Sequence, residues 1–463
     1  MKTSKPVLSA LANWSASVVL ADIPEAVQAV AIRCLIDTLG VALAGSVSEV
    51  AAKARSLISL TAAEGDCVVL GGERCFSAPA AAFANAAAAH ALDFDDNSYP
   101  GFVHGSAVIM PAALAVAQLR DLSGSAWLTA FVVGAECEYA LARMLTRHIY
   151  DQGWWTTGVL GCVGACAAAC HGLGLSAEQT AHALGIALAG TGGMKASFGS
   201  DAKVLMAGRA SETGVVAALL AQAGSSGPLD IVEHSRGLAA MFNAGVLHTG
   251  ILQGLGRDWS LITPGVDIKR IPVCLSSHAA VDALRGLVDE FAINADAIEA
   301  IECDVPTIVV QNLIYHAPVT REQARFSLQF ALAATWLQGD VDLDNVTTTM
   351  AARSDVVVCM QRISLQSSAR WSDPVLLESA PEGAWVKVLL KDGNSRERFC
   401  AMPVGAARNP LSHAQLRAKF LTCATQVLPL HEARALLSRL EQPQQLPDVR
   451  ALLPHFSSQE IHP

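Results

Sequence analysis

The chain has 463 residues, 52% of them hydrophobic and only 16% charged, with a formal net charge of −10. That length is enough for two domains, and so few charges point to a large buried interior, an extensive subunit contact, or both. The acidic balance disfavours nucleic acid as a partner, which calls for a basic face.

A mean hydropathy of +0.37 raises the question of a membrane span. The apolar run from Ala78 to Ala91 is closed by His90 and Asp93 after about a dozen residues, short of the roughly 20 a spanning helix needs. The run from Gly158 to Leu175 is interrupted by His171 and by many small residues. Both are expected to be buried core helices, with no membrane partner. Met1 to Ser15 carries Lys2 and Lys5 but no long apolar stretch of the signal-peptide kind, so a cytoplasmic location is expected.

In chain order, the first predicted helix runs from Ile23 to Ala44, with Pro24 at its start and Gly45 as its stop. Buried helices are expected over Ser77 to Leu92 and over Ser106 to Leu119, the latter bent by Pro111. Ala126 to Arg147, Gly158 to Leu173, Ser176 to Ala189 and Lys203 to Ala223 follow. Small residues dominate their faces, so the helices can approach closely. Near residue 265 the pattern changes. Ile298 to Val310 is rich in β-branched residues, with Pro306 confining it to an edge or interrupting it. Arg325 to Leu337 reads as a helix. Trp385 to Leu390, the turn Lys391 to Asn394 and Glu397 to Ala401 read as a hairpin, and helix resumes from Ser412. The expected fold class is mainly α: a large all-α helical domain (1–264 plus 405–463) with an inserted smaller α+β lid domain (265–404). The cleft between two such domains is the default place for a ligand.

Four segments could carry chemistry. In the first, Asp93, Asp95 and Asp96 crowd three carboxylates into four residues, which requires a compensating partner or function. Asp93, Asp96 and Asn97 have the spacing of one helical face. His104 follows, just before Ser106, a plausible N-cap. In the second, a Gly-rich loop leads to Lys203 and Arg209. Cations at a helix N-terminus oppose its dipole, and a bound anion would reverse that penalty. In the third, Lys269, Arg270 and His278 sit at the proposed domain junction and suit carboxylate recognition, with Arg able to bind bidentately. In the fourth, Trp154 and Trp155 adjoin Gly153, and one of them could wall a pocket. A carboxylate, a histidine, two lysines and an arginine together could abstract a proton alpha to a carboxylate and stabilise the resulting charge.

Twelve cysteines are scattered without a CxxC pair. Cys162, Cys166 and Cys170 share one helical face but would span roughly 12 Å along the axis, which is poor metal geometry. They are expected in the core, and disulfides are not expected in a cytosolic setting. The chain has no dinucleotide fingerprint, Walker A, HExxH or GxSxG motif, so no cofactor and no metal is expected.

At these segments the sequence resembles the MmgE/PrpD family, which includes 2-methylcitrate dehydratase, cis-aconitate decarboxylase and iminodisuccinate epimerase. The resemblance rests on His90-Ala-Leu-Asp-Phe-Asp-Asp96, Val103-His104, Gly158 to Gly164, Leu184-Gly-Ile-Ala187, Lys203 through Gly214, Lys269-Arg-Ile-Pro272 and Ser277-His278, in family order across nearly the whole chain. It implies a homodimer and cofactor-free proton transfer at carbon in a small di- or tricarboxylate. It places the catalytic set at His104, Lys203, Lys269 and Asp93. Asn97, Trp155, Arg270, His278 and Asn312 fall at substrate-binding positions. His104 or a lysine would move the proton, and the lysines with Arg270 would hold carboxylates. Three departures stand out: Trp155 where many members have a histidine, Asn312 (with Tyr315 close by) where decarboxylase-like members have a tyrosine, and Gly105 where proline is common. The leading expectation is a lyase or isomerase of the 2-methylcitrate dehydratase kind. The alternatives are an iminodisuccinate-type epimerase, which needs fewer acids, a cis-aconitate-type decarboxylase, or a non-catalytic carboxylate-binding homologue. Asp93 to Asp96 also fits the DxDD motif of all-α isoprenoid cyclases. Those enzymes line their pockets with aromatics to stabilise cations, and here aromatics are 5% of the chain.

Overall fold

In the computed structural model, residues 6–99 and 101–453 are described. The leader expectation concerns in part residues 1–5, which lie outside that range, as does the end of the helical tail beyond 453. Helices α1 (Val7–Ser15), α2 (Glu25–Ser46) and α3 (Glu49–Thr61) precede a short strand β1 (Glu64–Cys67). Then follow α4 (Ala78–His90), α5 (Gly105–Leu119), α6 (Gly124–Met144), α7 (His148–Asp151), α8 (Thr156–Leu173), α9 (Ala177–Ala189), α10 (Asp201–Gln222) and α11 (Leu238–Phe242). Two compact units divide the chain. Met1–Ser197, Ala202–Asp267 and Ser412–Pro463 bound the first; Phe198–Asp201 and Ile268–Leu411 bound the second.

The first unit is a helical assembly with α8 near its centre. Every residue of α8 except His171 and Gly172 is buried. Glycine and alanine make this possible. A Cβ at Gly134 would lie 2.6 Å from the Gly164 carbonyl, and one at Gly214 would lie 2.5 Å from Ala165 Cβ and from Cys166 N. The backbones of α6, α8 and α10 therefore approach closer than larger residues permit. Pro111 lies inside α5, as its sequence position predicts. Serine caps set several starts: Ser48, Ser123 and Ser176 accept from the backbone N–H three residues on. In the tail, α19 (His413–Ala424) is capped by Ser412 and followed by α20 (Leu430–Leu440); both belong to the first unit. Cys162, Cys166 and Cys170 are buried thiols, with burial pushing Cys162 up to about 12. Among the described residues, three helices, α2, α8 and α10, are long and apolar enough to cross a membrane; 89% of the apolar window of α8 is buried inside the protein.

The second unit holds α12 (His278–Phe291), β2 (Ile298–Asp304), α13 (Thr307–Asn312), α14 (Arg321–Ala324), α15 (Leu328–Gln338), α16 (Thr348–Ala352), α17 (Ser354–Gln361), β3 (Ile363–Gln366), α18 (Pro374–Ser379), β4 (Ala384–Leu390) and β5 (Ser395–Cys400). Its sheet runs β3-β2-β4-β5. β2 is parallel to β3, pairing Ile301 with Ile363, and antiparallel to β4, pairing Ile301 with Val388. The β4–β5 hairpin pairs Trp385 with Phe399, and their rings stack at 4.8 Å. Along β4, Ala384, Val386 and Val388 alternate inward. Pro306 ends the expected Ile298–Val310 strand early, because its ring suits the start of a helix and it N-caps α13. β3 is a strand that the sequence pattern does not show.

Candidate active site

The acidic segment is not helical. α4 ends at His90, and Asp93 takes a left-handed backbone, φ 50°. The helical spacing of Asp93, Asp96 and Asn97 therefore does not put them on one face. An aspartate with positive φ is tolerated because its short polar side chain can bond locally, but it needs surrounding contacts to hold it. Those contacts come from distant parts of the first unit. Asn97 and Asp267 exchange backbone bonds of 2.9 and 2.8 Å. Lys419, from α19, donates to the Phe94 carbonyl at 2.9 Å and pairs with Asp37 at 2.6 Å.

The three carboxylates meet three different fates. Asp93 Oδ1 accepts from the Lys203 ammonium at 2.6 Å. Asp95 is fully buried between two imidazoles, its Oδ2 lying 2.8 Å from His90 Nδ1 and 3.2 Å from His104 Nδ1. Burial alone would raise its pKa, but His90 and His104 outweigh it and hold the carboxylate well below its ordinary range. Asp96 accepts from the Ser106 hydroxyl and, at 3.3 Å, from the Ser106 N–H. Burial first, then Asp37 and Asp95, push Asp96 up to about 7 despite Ser106. Ser106 is thus not the N-cap of α5; His104 stands there and Ser106 serves Asp96.

The hydrogen bonds fix both imidazoles. An ionised carboxylate only accepts, so His90 Nδ1 carries the hydrogen given to Asp95. Its Nε2 lone pair then accepts from Lys203 at 2.7 Å. His104 Nδ1 faces two acceptors, the Asp96 carbonyl at 3.0 Å and Asp95 Oδ2, so it too carries the hydrogen and the lone pair falls on Nε2. His104 is also held from behind, its main-chain N–H donating to Thr157 Oγ1 at 2.9 Å. Burial lowers His90 to about 4, so its ring is neutral at ordinary pH.

Trp155 forms the wall of this cluster. It is buried, its ring lies 5.3 Å from the His90 ring at 33°, and Lys203 Nζ stands 5.2 Å from its centre. Lys203 lies in the first turn of α10, against the helix dipole. Asp93 supplies the compensating negative charge.

His90, Asp95 and His104 also bring three metal-type ligand atoms within 4.8 Å of one another. As arranged they do not fit an ion, because both Nδ1 atoms carry hydrogens and the Lys203 ammonium occupies the far side of His90.

The sequence model of the MmgE/PrpD N-terminal domain matches residues 9–248, and that of the C-terminal domain matches residues 271–442. The chain belongs to the MmgE/PrpD family. Its relatives include cis-aconitate decarboxylase of Homo sapiens, 28% identical over 91% of this chain and 88% of that one. The Mus musculus protein of the same name is 27% identical, over 91% and 87%. A cis-aconitate decarboxylase-like protein of Aspergillus oryzae is 27% identical over 91% of each. Family and relatives together make this MmgE/PrpD protein an enzyme of the lyase type.

Two departures from the MmgE/PrpD pattern have visible surroundings. A Cβ at Gly105 would lie 2.5 Å from Tyr139 Oη, so the position after His104 takes no proline ring here. Trp155 fills its place with an indole that packs on His90.

The remaining candidates lie in the second unit. Lys269 is buried there, 1% exposed. Arg270 is held by its own neighbours, Nη1 to Asp340 at 2.6 Å and Nη2 to Asp282 at 2.8 Å. His278 starts α12 with Nε2 3.3 Å from the Val273 carbonyl. Asn312 donates to Ser276 Oγ at 3.1 Å, and Tyr315 donates to the Phe198 carbonyl at 3.0 Å. The first unit itself brings Asp93, His104, Trp155 and Lys203 together. His90, like Asp95, has no catalytic or binding role assigned from the sequence. Its signal is weak, a lone histidine at the end of an alanine-rich helix, which reads as core.

Proposed function

We propose that this protein is a cofactor-independent lyase acting on a small polycarboxylate, with decarboxylation of a cis-aconitate-like substrate as the first reaction to test. The observation that carries the reading is the buried Lys203 ammonium, bridging Asp93 and His90 beside the aligned His104 imidazole. A buried cation attracts a substrate carboxylate, and an imidazole with a carboxylate at its Nδ1 gains stability in its charged form, as an acid–base group needs. The relatives favour decarboxylation over the methylcitrate-type dehydration that leads the sequence reading. In such a reaction the carbon–carboxylate bond breaks, its electron pair is delocalised over the remaining unsaturated acid, and carbon dioxide leaves. His104 Nε2, which holds a lone pair at rest, takes up one solvent proton and passes it to carbon. Lys203 and Lys269 are assigned to the substrate carboxylates, Lys269 on the resemblance alone. Asn97, Trp155, His278 and Asn312 stay as proposed substrate neighbours. Arg270 is assigned to the scaffold, because two carboxylates already hold it.

The test is incubation in deuterated water with cis-aconitate, citrate, methylcitrate and substituted succinates, read by NMR. Carbon dioxide release with one deuterium at product carbon is expected. Water loss without carbon dioxide returns the dehydratase, and exchange at one centre without either returns the epimerase. Binding without turnover or exchange across the panel overturns the enzyme. A homodimer and a cytoplasmic location are carried as further proposals, the first checked by sedimentation velocity.

A further inference from the structure

Asp95 and His90 touch neither the solvent nor, by their burial, any bound molecule, and the proposed reaction gives them no step. Yet a fully buried carboxylate whose one oxygen meets two histidines is costly unless it has work to do. Its other oxygen, Oδ1, is buried with no hydrogen-bond partner among the described residues, so Asp95 is not a general polar anchor. Its Oδ2 contacts go to the two Nδ1 atoms. Behind His90, Trp155 packs on the ring; beside it, His104 stands edge-on with centroids 4.7 Å apart. Neither ring can rotate without losing these contacts.

We propose that Asp95 and His90 are positioning residues that couple the two proton-handling groups of the site, His104 and Lys203. At His104 Nδ1, Asp95 adds its charge to the Asp96 carbonyl, which accepts there at 3.0 Å, and together they hold the lone pair on Nε2. Through His90 Nδ1, Asp95 holds the other lone pair on the nitrogen that accepts from Lys203. His90 Nε2 at 2.7 Å and Asp93 Oδ1 at 2.6 Å fix two of the three N–H directions of the ammonium. Tetrahedral geometry then fixes the third. One carboxylate thereby aims both the imidazole and the ammonium, a pre-organisation that catalysis rewards because no group must turn during reaction. The same logic accounts for the order of residues: Asp95 and His90 are five apart at the end of α4, so a single local turn carries the device and α5 and α10 bring the groups it aims.

The functional half of this inference rests on the proposed lyase reading; the tautomer half does not. The test therefore begins without substrate. In full-length protein with 15N-labelled histidine, assigned by His90→Gln and His104→Gln, both rings are expected as the Nδ1–H tautomer. Asp95→Asn, matched for fold by circular dichroism, is expected to raise the share of the Nε2–H tautomer at His104, where the Asp96 carbonyl still accepts. Finding His104 as the Nε2–H form in the wild type, or unchanged in Asp95→Asn, overturns the proposal. The wild-type spectrum alone keeps it falsifiable if Asp95→Asn does not fold. On the substrate that the panel above identifies, His90→Gln, whose amide oxygen can stand in for Nε2, is expected to keep kcat within about tenfold. His90→Phe is expected to lose about a hundredfold or more. Equal kcat in His90→Gln and His90→Phe overturns the aiming of Lys203. No turnover on any panel member overturns the lyase reading and leaves the tautomer result standing.

Discussion

Lys203 and Asp93 form an ion pair of 2.6 Å whose side chains are only 5% and 6% exposed. Asp93 holds its end from a left-handed backbone position, φ 50°. Breaking a buried pair by removing one partner leaves an uncompensated charge, which costs about 3–5 kcal/mol. Lys203→Met is expected to lose that much stability and about a hundredfold or more in turnover. Lys203→Met with Asp93→Asn is expected to recover most of the stability and none of the turnover, since asparagine tolerates the left-handed backbone. Chemical denaturation of the four proteins as a double-mutant cycle checks this. Additive losses would show that the pair is not coupled.

Arg270 separates a scaffold role from a substrate role. Asp282 and Asp340 lie within 2.8 and 2.6 Å of its guanidinium. Arg270→Met is expected to lower stability by about 1–3 kcal/mol, because the largely buried Asp282 loses its cation while the half-buried Asp340 keeps Arg285 at 3.4 Å. Where it folds, KM is expected to stay within about threefold, since substrate binding energy would then be untouched. A KM increase of a hundredfold with unchanged stability would restore Arg270 to the substrate.

Glu138 gives a pH signature. It is buried in α6, neither carboxyl oxygen has a hydrogen-bond partner among the described residues, and a Cβ at Gly164 would lie 2.4 Å from Oε2. Burial first, then Asp96, push its pKa up to about 8. The folded state thus keeps the proton that the unfolded chain releases near its ordinary value of about 4.3. A raised carboxyl pKa makes stability fall as pH rises between those two values. Glu138→Gln removes this titration. The variant is expected to gain on the wild type steadily from about pH 5 to pH 8, whatever its fixed offset. A constant difference in melting temperature across that window would refute it.

Gly214 tests the close helix approach. A methyl group there meets the backbone of α8 at 2.5 Å. Gly214→Ala gains helix propensity of about 1 kcal/mol but overpacks, which costs typically 1–3 kcal/mol or more. Net destabilisation is expected, read by denaturant midpoint. Stabilisation would mean that the helices yield easily.

Much of the helical framework is legible because its signals are local. Pro24, Pro111, Ser176, Ser412 and the small residues of α8 act within a turn or across a face, so spacing alone locates these helices to within a few residues. The β4–β5 hairpin is equally local. The parallel strand β3 is not, since its four residues become a strand only by pairing with β2.

At the site, the sequence by itself determined which groups are scarce and clustered: three aspartates in four residues, a histidine nearby, and a lysine after a glycine-rich loop. It also carried the family order that marks Asp93, His104, Lys203 and Lys269. Tertiary structure alone decided what each aspartate does. A helical spacing rule cannot see that α4 stops at His90, nor that Lys203 arrives from 110 residues away to meet Asp93. Neighbouring carboxylates of one chemistry diverge because their partners and their desolvation differ: Asp93 meets an ammonium, Asp95 two imidazoles, and Asp96 a hydroxyl. Those partners belong to α4, α5 and α10, and only packing brings them to one point.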